Sequence, residues 1–153
     1  MAVTIQPANL EAADFVELIE THAALMLSQS PAESCHFLPI DGLKSDDISV
    51  WELRNSGQLI ASGALKQIDP THGEIKSMHT LAAHRGGGHG RAMLDHILTE
   101  ARARGYSRLS LETGSMDGFA PARQLYESYG FVECRPFGDY VDDPLSYFMT
   151  LAL

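Results

Sequence analysis

The sequence of 153 residues contains little cysteine, no long apolar run and few basic side chains, and each scarcity excludes a class of protein. Its two cysteines, Cys35 and Cys134, lie far apart, which indicates free thiols in a reducing cytoplasm and no metal or disulfide framework. No apolar run approaches a membrane span, and the first residues lack the basic segment and apolar run of a signal peptide. We therefore expect a cytoplasmic protein that does not associate with membranes.

Basic residues are also scarce, with 11 lysines and arginines against 20 acidic residues and a net charge of −9. This balance argues against nucleic acid as a partner, because binding to phosphates requires a basic face. It is compatible with a cationic substrate such as an amine, although solubility alone also accounts for it. The seven histidines do not predict a metal site. His79, His84 and His89 span a predicted strand end and a loop, and no helical histidine pair or cysteine–histidine cluster occurs.

The most informative stretch is a glycine-rich loop at residues 84–91, in which four of the eight residues are glycine. Residues 74–81 before it have the pattern of a strand, and residues 92–101 after it have that of an amphipathic helix. A helix N-terminus offers unpaired N–H groups, and glycines let an anion approach the backbone closely. The stretch therefore predicts a phosphate or pyrophosphate site, to which Arg85 and Arg91 add charge. The alternative is a tight turn that merely caps the helix.

Two familiar nucleotide loops do not fit this stretch. A P-loop ends in Gly-Lys-Ser/Thr, whereas Gly90 is followed by Arg91 and alanine, and the spacing G-x-G-x-x-G of dinucleotide-binding loops is absent. The pattern that fits is Arg-x-x-Gly-x-Gly, at Arg85, Gly88 and Gly90. It resembles the pyrophosphate-binding loop of the GCN5-related N-acetyltransferase (GNAT) family, whose members hold acetyl-coenzyme A.

The remaining elements predict one α/β domain over residues 1–153, with a mixed sheet of about seven strands flanked by helices. Asn9 is the expected N-cap of a helix that begins at Leu10, and a second helix is expected over residues 20–29. Strands are predicted at 3–5, 48–53, 59–65, 74–81, 108–113, 131–134 and 146–151. The first strands form an antiparallel meander, while the helix crossover makes strand 108–113 parallel to strand 74–81.

A second motif supports the family resemblance. Residues 122–131 read A-x-x-L-Y-x-x-x-G-F, which is similar to the family's second signature and follows the loop by one strand and one helix start. The element order resembles that of the family over nearly the whole chain. Residues 110–114 and 134–140 also look like a bacterial subgroup of uncharacterised members, among them the YsnE-like proteins.

The resemblance implies direct attack of an amine on the thioester of acetyl-CoA. In the family, the strand before the loop binds the pantetheine arm through its backbone, and an N–H near Met78 or His79 would polarise the thioester carbonyl. The donor-binding residues implied by the resemblance are Met78, His79, Thr80, Arg85, Gly86, Gly87, Gly88, His89, Gly90 and Arg91.

Three residues are candidates for the general base. Glu74 stands eleven residues before Arg85, the position of a catalytic glutamate in some members, and is the first candidate. Its alternative role is a solvent-facing strand residue or a partner of Lys76. His79 is the second candidate, since imidazole titrates near neutrality, or it lies beside pantetheine without a proton role. Glu112, at the end of the parallel strand, binds a cationic substrate or shares the base role.

Tyr126 occupies the tyrosine position of the second signature, so the resemblance implies a general acid that faces the CoA sulfur; otherwise it is a core aromatic. Phe119 departs from the family, since many members have asparagine there to contact the CoA arm. That polar contact is therefore either missing or supplied by Ser115 or Thr113.

The function expected from the sequence is acetyl transfer from acetyl-CoA to a primary amine on a small molecule or peptide. The alternative is an acyl-CoA-sensing module without catalysis. A kinase or NTPase is disfavoured by the missing loop lysine. Dimerisation is common in the family, so a homodimer is an open expectation.

Overall fold

A computed structural model describes residues 3–153, which form seven β-strands and three α-helices. The helices are α1 (Ala13–Gln29), α2 (His89–Ala103) and α3 (Ala120–Ser128). The strands are β1 (Val3–Pro7), β2 (Ile48–Asn55), β3 (Gln58–Asp69), β4 (His72–Thr80), β5 (Arg108–Gly114), β6 (Val132–Glu133) and β7 (Ser146–Ala152). No helix in the described part of the chain is sufficiently long and apolar to cross a membrane.

The strands form one mixed sheet in the order β1-β2-β3-β4-β5-β7-β6. Short turns join β2, β3 and β4, so these strands pair antiparallel, as predicted. Helix α2 carries the chain from β4 to β5, and this crossover makes the two strands parallel, also as predicted. The predictions of an α/β fold and a mixed sheet of about seven strands are confirmed.

Strands β4 and β5 separate halfway along their length. Their parallel pairing runs from His72↔Arg108 to Ile75↔Leu111, although β4 continues to Thr80. At Ser77 the backbone has a φ of 54°, and the register against β3 shifts. The Ser62 hydroxyl donates a 2.7 Å hydrogen bond to the Ser77 carbonyl at this bulge. The separation opens a wedge in the sheet, where the edge of β4 that faces β5 has no strand partner among residues 3–153.

Two hydrophobic cores cover the two faces of the sheet. Met93, Leu94, Ile97 and Leu98 lie on one side of α2 at helical spacing and pack against one face, with α3 beside them. Helix α1 packs against the other face through Phe15, Leu18 and Ile19. Each side chain at the wedge therefore faces either the α1 side or the α2 side, according to the strand's alternation.

The predictions for the first helical region were wrong in two respects. Helix α1 begins at Ala13 and is continuous, whereas a helix from Leu10 and a second one over 20–29 had been expected. The Asn9 side chain accepts a 3.0 Å hydrogen bond from the N–H of Glu11, which makes a turn before the helix rather than its cap. The stretch has no glycine or proline to interrupt the helix, so it continues.

Two further boundaries differ from the predictions. Helix α2 begins at His89 rather than at residue 92, which places Gly90 and Arg91 in its first turn. Strand β6 contains only Val132 and Glu133, and the Phe131 side chain before it is buried in the core on the α2 side. The first difference matters for the site, since it brings the helix N-terminus to the glycine loop itself.

Candidate active site

A cleft of about 750 Å³ occupies the wedge between β4 and β5. Its walls are the C-terminal half of α1, the glycine loop, the start of α3 and the segment at residues 34–37. The fold brings nearly all of the sequence-predicted site residues into this one cleft. These are Glu74, Met78, His79, Thr80, Arg85, Gly86, Gly88, His89, Gly90, Arg91, Glu112 and Tyr126.

The glycine loop presents the N-terminus of α2 to the cleft. Gly86 and Gly88 have φ angles of 83° and 81°, in the left-handed region that favours glycine. Gly88 is the N-cap, and no side chain caps the helix, so the N–H groups of its first turn remain available to an anion. Gly87 is the one loop residue of the predicted set that does not line the cleft.

The two arginines of the loop have different surroundings. The Arg85 Nε donates a 3.1 Å hydrogen bond to the Thr80 carbonyl, which holds this side chain beside the end of β4. The Arg91 guanidinium donates to the Ser128 hydroxyl at 3.0 Å and lies over the Tyr129 ring. Arg91 is therefore held towards α3, and Arg85 lies closer to the strand that borders the wedge.

Replacing Gly88 with alanine is expected to weaken acetyl-CoA binding roughly tenfold, which corresponds to about 1.4 kcal/mol. A left-handed alanine costs about 1–2 kcal/mol, so the loop will shift and misalign its N–H groups. Gly57 offers a matched control, because its φ is 85° and a Cβ at either glycine meets nothing within 4 Å. Gly57→Ala should lose similar stability in urea titrations and retain the parent's affinity in calorimetry. Equal affinities of both variants would contradict an anion-binding role of the loop.

Glu74 belongs to a closed triangle of hydrogen bonds on the α1 side of the sheet. Its Oε2 accepts a 2.6 Å hydrogen bond from the Tyr140 hydroxyl and one of 3.1 Å from Lys76. The Lys76 ammonium also donates to the Tyr140 oxygen at 3.0 Å. Burial, followed by the charge of Glu74, raises the pKa of Tyr140, so its proton stays on the phenol. The glutamate–lysine pair is thus internally neutralised.

Glu112 is a cleft carboxyl whose protonation is sensitive near neutral pH. It lies on β5 just beyond the last pair with β4, where the wedge begins. Burial raises the pKa of Glu112 from 4.5 to about 7, against the opposing effects of the Ser146 hydroxyl and the Lys76 charge. A carboxyl with this pKa is matched to accepting a proton at neutral pH.

His79 points towards α1 and meets a second histidine there. The Nδ1 atoms of His22 and His79 lie 3.0 Å apart, and both rings line the cleft. Burial lowers the pKa of each imidazole to about 4. Neither ring is therefore charged at neutral pH.

Tyr126, on α3, lies on the wall of the cleft opposite α1, and its ring packs against that of Phe131. It is 6% exposed and lines the cleft, and its hydroxyl has no hydrogen-bond partner among residues 3–153. Burial raises the pKa of Tyr126, so the phenol keeps its proton at neutral pH. Phe119 lies nearby and packs its ring onto Gly114, which leaves no room for a side chain at that glycine.

Two segments at the end of the cleft where Glu74 lies, residues 34–36 and 140–143, are joined by side-chain contacts. The Ser34 hydroxyl donates a 2.6 Å hydrogen bond to the Asp143 carboxylate. The His36 and Tyr140 rings meet edge to face, with centroids 5.1 Å apart. These contacts join the segment after α1 to the segment before β7 and form a roof over the end of the cleft where Glu74 lies.

Sequence reasoning did not single out His22, which lines the cleft, or Tyr140, whose hydroxyl donates to the cleft residue Glu74. Tyr140 lies 66 residues from Glu74, and no local pattern connects them. His22 lies 57 residues from His79, although a histidine on the apolar stripe of α1 was a usable signal. No group of three or more histidine, cysteine or acidic side chains in residues 3–153 is arranged to hold a metal ion.

The wedge between parallel strands, the glycine loop at a helix N-terminus and the sheet order together define an acyl-CoA-dependent N-acyltransferase fold. The model of the acetyltransferase (GNAT) family matches residues 9–131, so the chain belongs to the GNAT family of acetyltransferases. These findings confirm the family resemblance, and with it an enzyme that uses acetyl-CoA.

Relatives cover the chain almost completely. The uncharacterised N-acetyltransferase YsnE of Bacillus subtilis is 48% identical over 95% of this chain and 96% of its own length. An IAA acetyltransferase from Azospirillum brasilense is 41% identical over 90% of each chain. A structure from Klebsiella pneumoniae, assigned as an acyl-CoA N-acyltransferase, has a TM-score of 0.80 and 28% identity, and covers 99% of this chain and 97% of its own.

Proposed function

We propose that this protein transfers the acetyl group of acetyl-CoA to a primary amine by direct attack. The observation that carries the proposal is the meeting, in one cleft, of an anion-binding loop, an unpaired strand edge, a carboxyl with a pKa near 7 and a buried phenol. Each group matches one requirement of the reaction: binding the donor, polarising its carbonyl, removing the amine's proton and stabilising the leaving thiolate.

The donor binds along the wedge. Its pyrophosphate lies on the N–H groups of the glycine loop, with Arg85 beside it. The pantetheine arm extends along the free edge of β4 at Met78, His79 and Thr80, where β5 has separated from β4. The backbone N–H of Met78 or His79, immediately after the bulge at Ser77, polarises the thioester carbonyl. An exposed strand edge suits this role because its N–H and C=O groups need partners.

Glu112 is the proposed general base. Glu74, the first candidate from the sequence, has one carboxylate oxygen occupied by both Tyr140 and Lys76. His79 shares its Nδ1 with His22 and has a pKa of about 4, so it is a poor proton acceptor at neutral pH. Glu112 accepts no hydrogen bond from Tyr140 or Lys76, and its pKa of about 7 suits proton acceptance. We therefore assign proton removal to Glu112, and to Glu74 the positioning of Lys76 and Tyr140.

The reaction replaces the C–S bond of the thioester with a C–N bond. Glu112 accepts a proton from the substrate ammonium, and the neutral amine nitrogen attacks the thioester carbon. A C–N bond forms and the C–S bond breaks, which yields the acetylated amine and CoA. As the amide forms, the nitrogen loses its second proton. Tyr126 protonates the departing sulfur to give the CoA thiol and is reprotonated in turn, while Glu112 releases its proton to solvent.

The acceptor binds at the end of the cleft beneath the roof that the Ser34–Asp143 hydrogen bond holds together. Glu74 and Lys76 neutralise each other there, which leaves Glu112 to interact with the incoming ammonium. Small-molecule amines and flexible peptide amines both meet these requirements. A panel of acceptors should also contain IAA, because the relative from Azospirillum brasilense is named for it.

The test combines binding with turnover. Calorimetric titration should show micromolar binding of acetyl-CoA and none of ATP or NAD; thiol release should then depend on an amine from the panel. No acetyl-CoA binding would refute the proposal. Binding without acyl transfer to any amine would favour the alternative, an acyl-CoA-sensing module.

A further inference from the structure

A pair of buried histidines links α1 to β4 inside the cleft, and their side chains have no part in the reaction as described above. His22 is 9% exposed and His79 is 7% exposed. Their Nδ1 atoms lie 3.0 Å apart, and the rings are edge to face with centroids 5.0 Å apart. At this separation one Nδ1 carries a proton and donates it to the other. The direction of this hydrogen bond decides what the pair presents to a ligand.

The surroundings of the two Nε2 atoms indicate the direction. The Nε2 of His79 is enclosed and has no partner among residues 3–153. The Nε2 of His22 also lacks a protein partner there, but it is not enclosed, and His22 lines the cleft. A buried N–H without a hydrogen-bond partner is rarer in proteins than a buried acceptor without one. The enclosed Nε2 of His79 is therefore the unprotonated nitrogen of its ring. His79 then carries its proton on Nδ1 and donates it to His22.

This arrangement leaves one consistent tautomer for His22. Its Nδ1 accepts the hydrogen bond from His79, so its own proton lies on Nε2, the nitrogen that opens into the cleft. Because both imidazoles are neutral at neutral pH, the group presented is an uncharged N–H donor. The residues of α1 beside it on the cleft wall are Leu25 and Met26, which are apolar. A neutral donor among apolar neighbours suits a carbonyl oxygen better than a phosphate.

We propose that the His22 Nε2–H donates a hydrogen bond to a carbonyl oxygen of the acyl-pantetheine arm of the donor, and that His79 is the positioning residue that holds His22 in this tautomer. The proposal rests on acetyl-CoA as the donor. It gives His79 a side-chain role that differs from the base role considered from the sequence. It also adds a contact from α1 to those that the backbone of β4 provides.

The first test compares His22→Phe with His22→Gln by calorimetry, using acetyl-CoA and CoA as probes. Phenylalanine keeps the ring but removes the N–H, and should weaken acetyl-CoA binding about three- to tenfold, as for one lost hydrogen bond. Glutamine retains an N–H donor at a similar distance from the backbone and should restore much of the affinity. A loss shared by CoA places the contact on an amide carbonyl, and a loss confined to acetyl-CoA places it on the thioester. Parental affinity of His22→Phe for both probes would overturn the proposal.

The second test observes the tautomers directly in the parent protein. Nitrogen-15 NMR of labelled histidines should show His22 protonated on Nε2 and His79 protonated on Nδ1 at neutral pH. Addition of acetyl-CoA should shift the His22 Nε2–H signal. His79→Asn, whose side-chain amide can still donate to His22, should preserve that signal, and His79→Leu should not. A His22 protonated on Nδ1 would disprove the assignment even if every variant folds poorly.

The outcomes separate this inference from the proposed function. If the parent binds no acetyl-CoA or acetylates no amine, the proposed function fails. If the parent binds and turns over but His22→Phe binds both probes normally, the inference alone fails.

Discussion

Tyr126→Phe is expected to lower kcat about a hundredfold and leave the affinity for acetyl-CoA close to that of the parent. Tyr126 lines the cleft and its hydroxyl has no hydrogen-bond partner among residues 3–153, so removal of the hydroxyl leaves no protein group unpaired. A group that acts on the departing sulfur affects the transition state more than the bound donor, so kcat falls more than binding. Thiol-release assays measure kcat, and calorimetry measures the affinity for acetyl-CoA.

Tyr129→Phe is the matched control for this prediction. Tyr129 lies three residues further along and does not line the cleft. Its hydroxyl donates to the Asp95 carboxylate at 2.7 Å and lies 3.3 Å from the Arg91 carbonyl, and Tyr129→Phe keeps the ring beneath the Arg91 guanidinium. Loss of the hydroxyl should cost a little stability and no activity. If Tyr126→Phe retained the parent's kcat, the phenol would have only a packing role against Phe131.

Glu112→Gln is expected to lower kcat/KM about a hundredfold at pH 8 and to abolish the rise in rate between pH 6 and 8. The base is active when it is deprotonated, so with a pKa of about 7 the parent's kcat/KM should increase as pH rises through 7. An acceptor amine whose own pKa lies well above 8 remains an ammonium throughout this range, so its titration does not contribute to the rise. Glu74→Gln is the comparison variant, and it should retain the rise in rate.

The same carboxyl supplies a readout that does not depend on activity. The pKa of Glu112 stands above the 4.5 of an unperturbed glutamate, so the folded protein binds the proton more tightly than the unfolded chain. Stability should therefore decrease as pH rises from about 4.5 to 7. Glu112→Gln removes this loss and should be more stable than the parent at pH 8, by on the order of 1 kcal/mol in urea titrations. If the ratio of kcat/KM between Glu112→Gln and the parent did not change with pH, the base role would return to Glu74.

The hydrogen-bond triangle of Glu74, Lys76 and Tyr140 shows why sequence spacing alone does not identify the general base. The spacing of eleven residues between Glu74 and Arg85 depends only on the strand and loop lengths. Whether the carboxylate is free depends on what packs against it. Here the segment before β7 brings Tyr140 to within 2.6 Å of Glu74.

The sequence by itself determined the parts of this protein that depend on neighbouring residues. Glycines at 86 and 88 predicted the loop, because glycine is the residue that adopts a positive φ without steric cost, and both have one. The spacing of Met93, Leu94, Ile97 and Leu98 predicted α2, since a helix repeats every 3.6 residues. The strands and the direction of β5 followed from turn length and crossover handedness. The start of α1 did not, because the Asn9 side chain forms a turn as readily as a cap.

Only the tertiary structure decided the chemistry of the cleft. The hydrogen bonds of Glu74 with Tyr140 and of His22 with His79 join residues 66 and 57 positions apart. The proton affinity of Glu112 depends on how much water its surroundings exclude. Both depend on the packing of distant segments around the wedge, which local patterns do not encode.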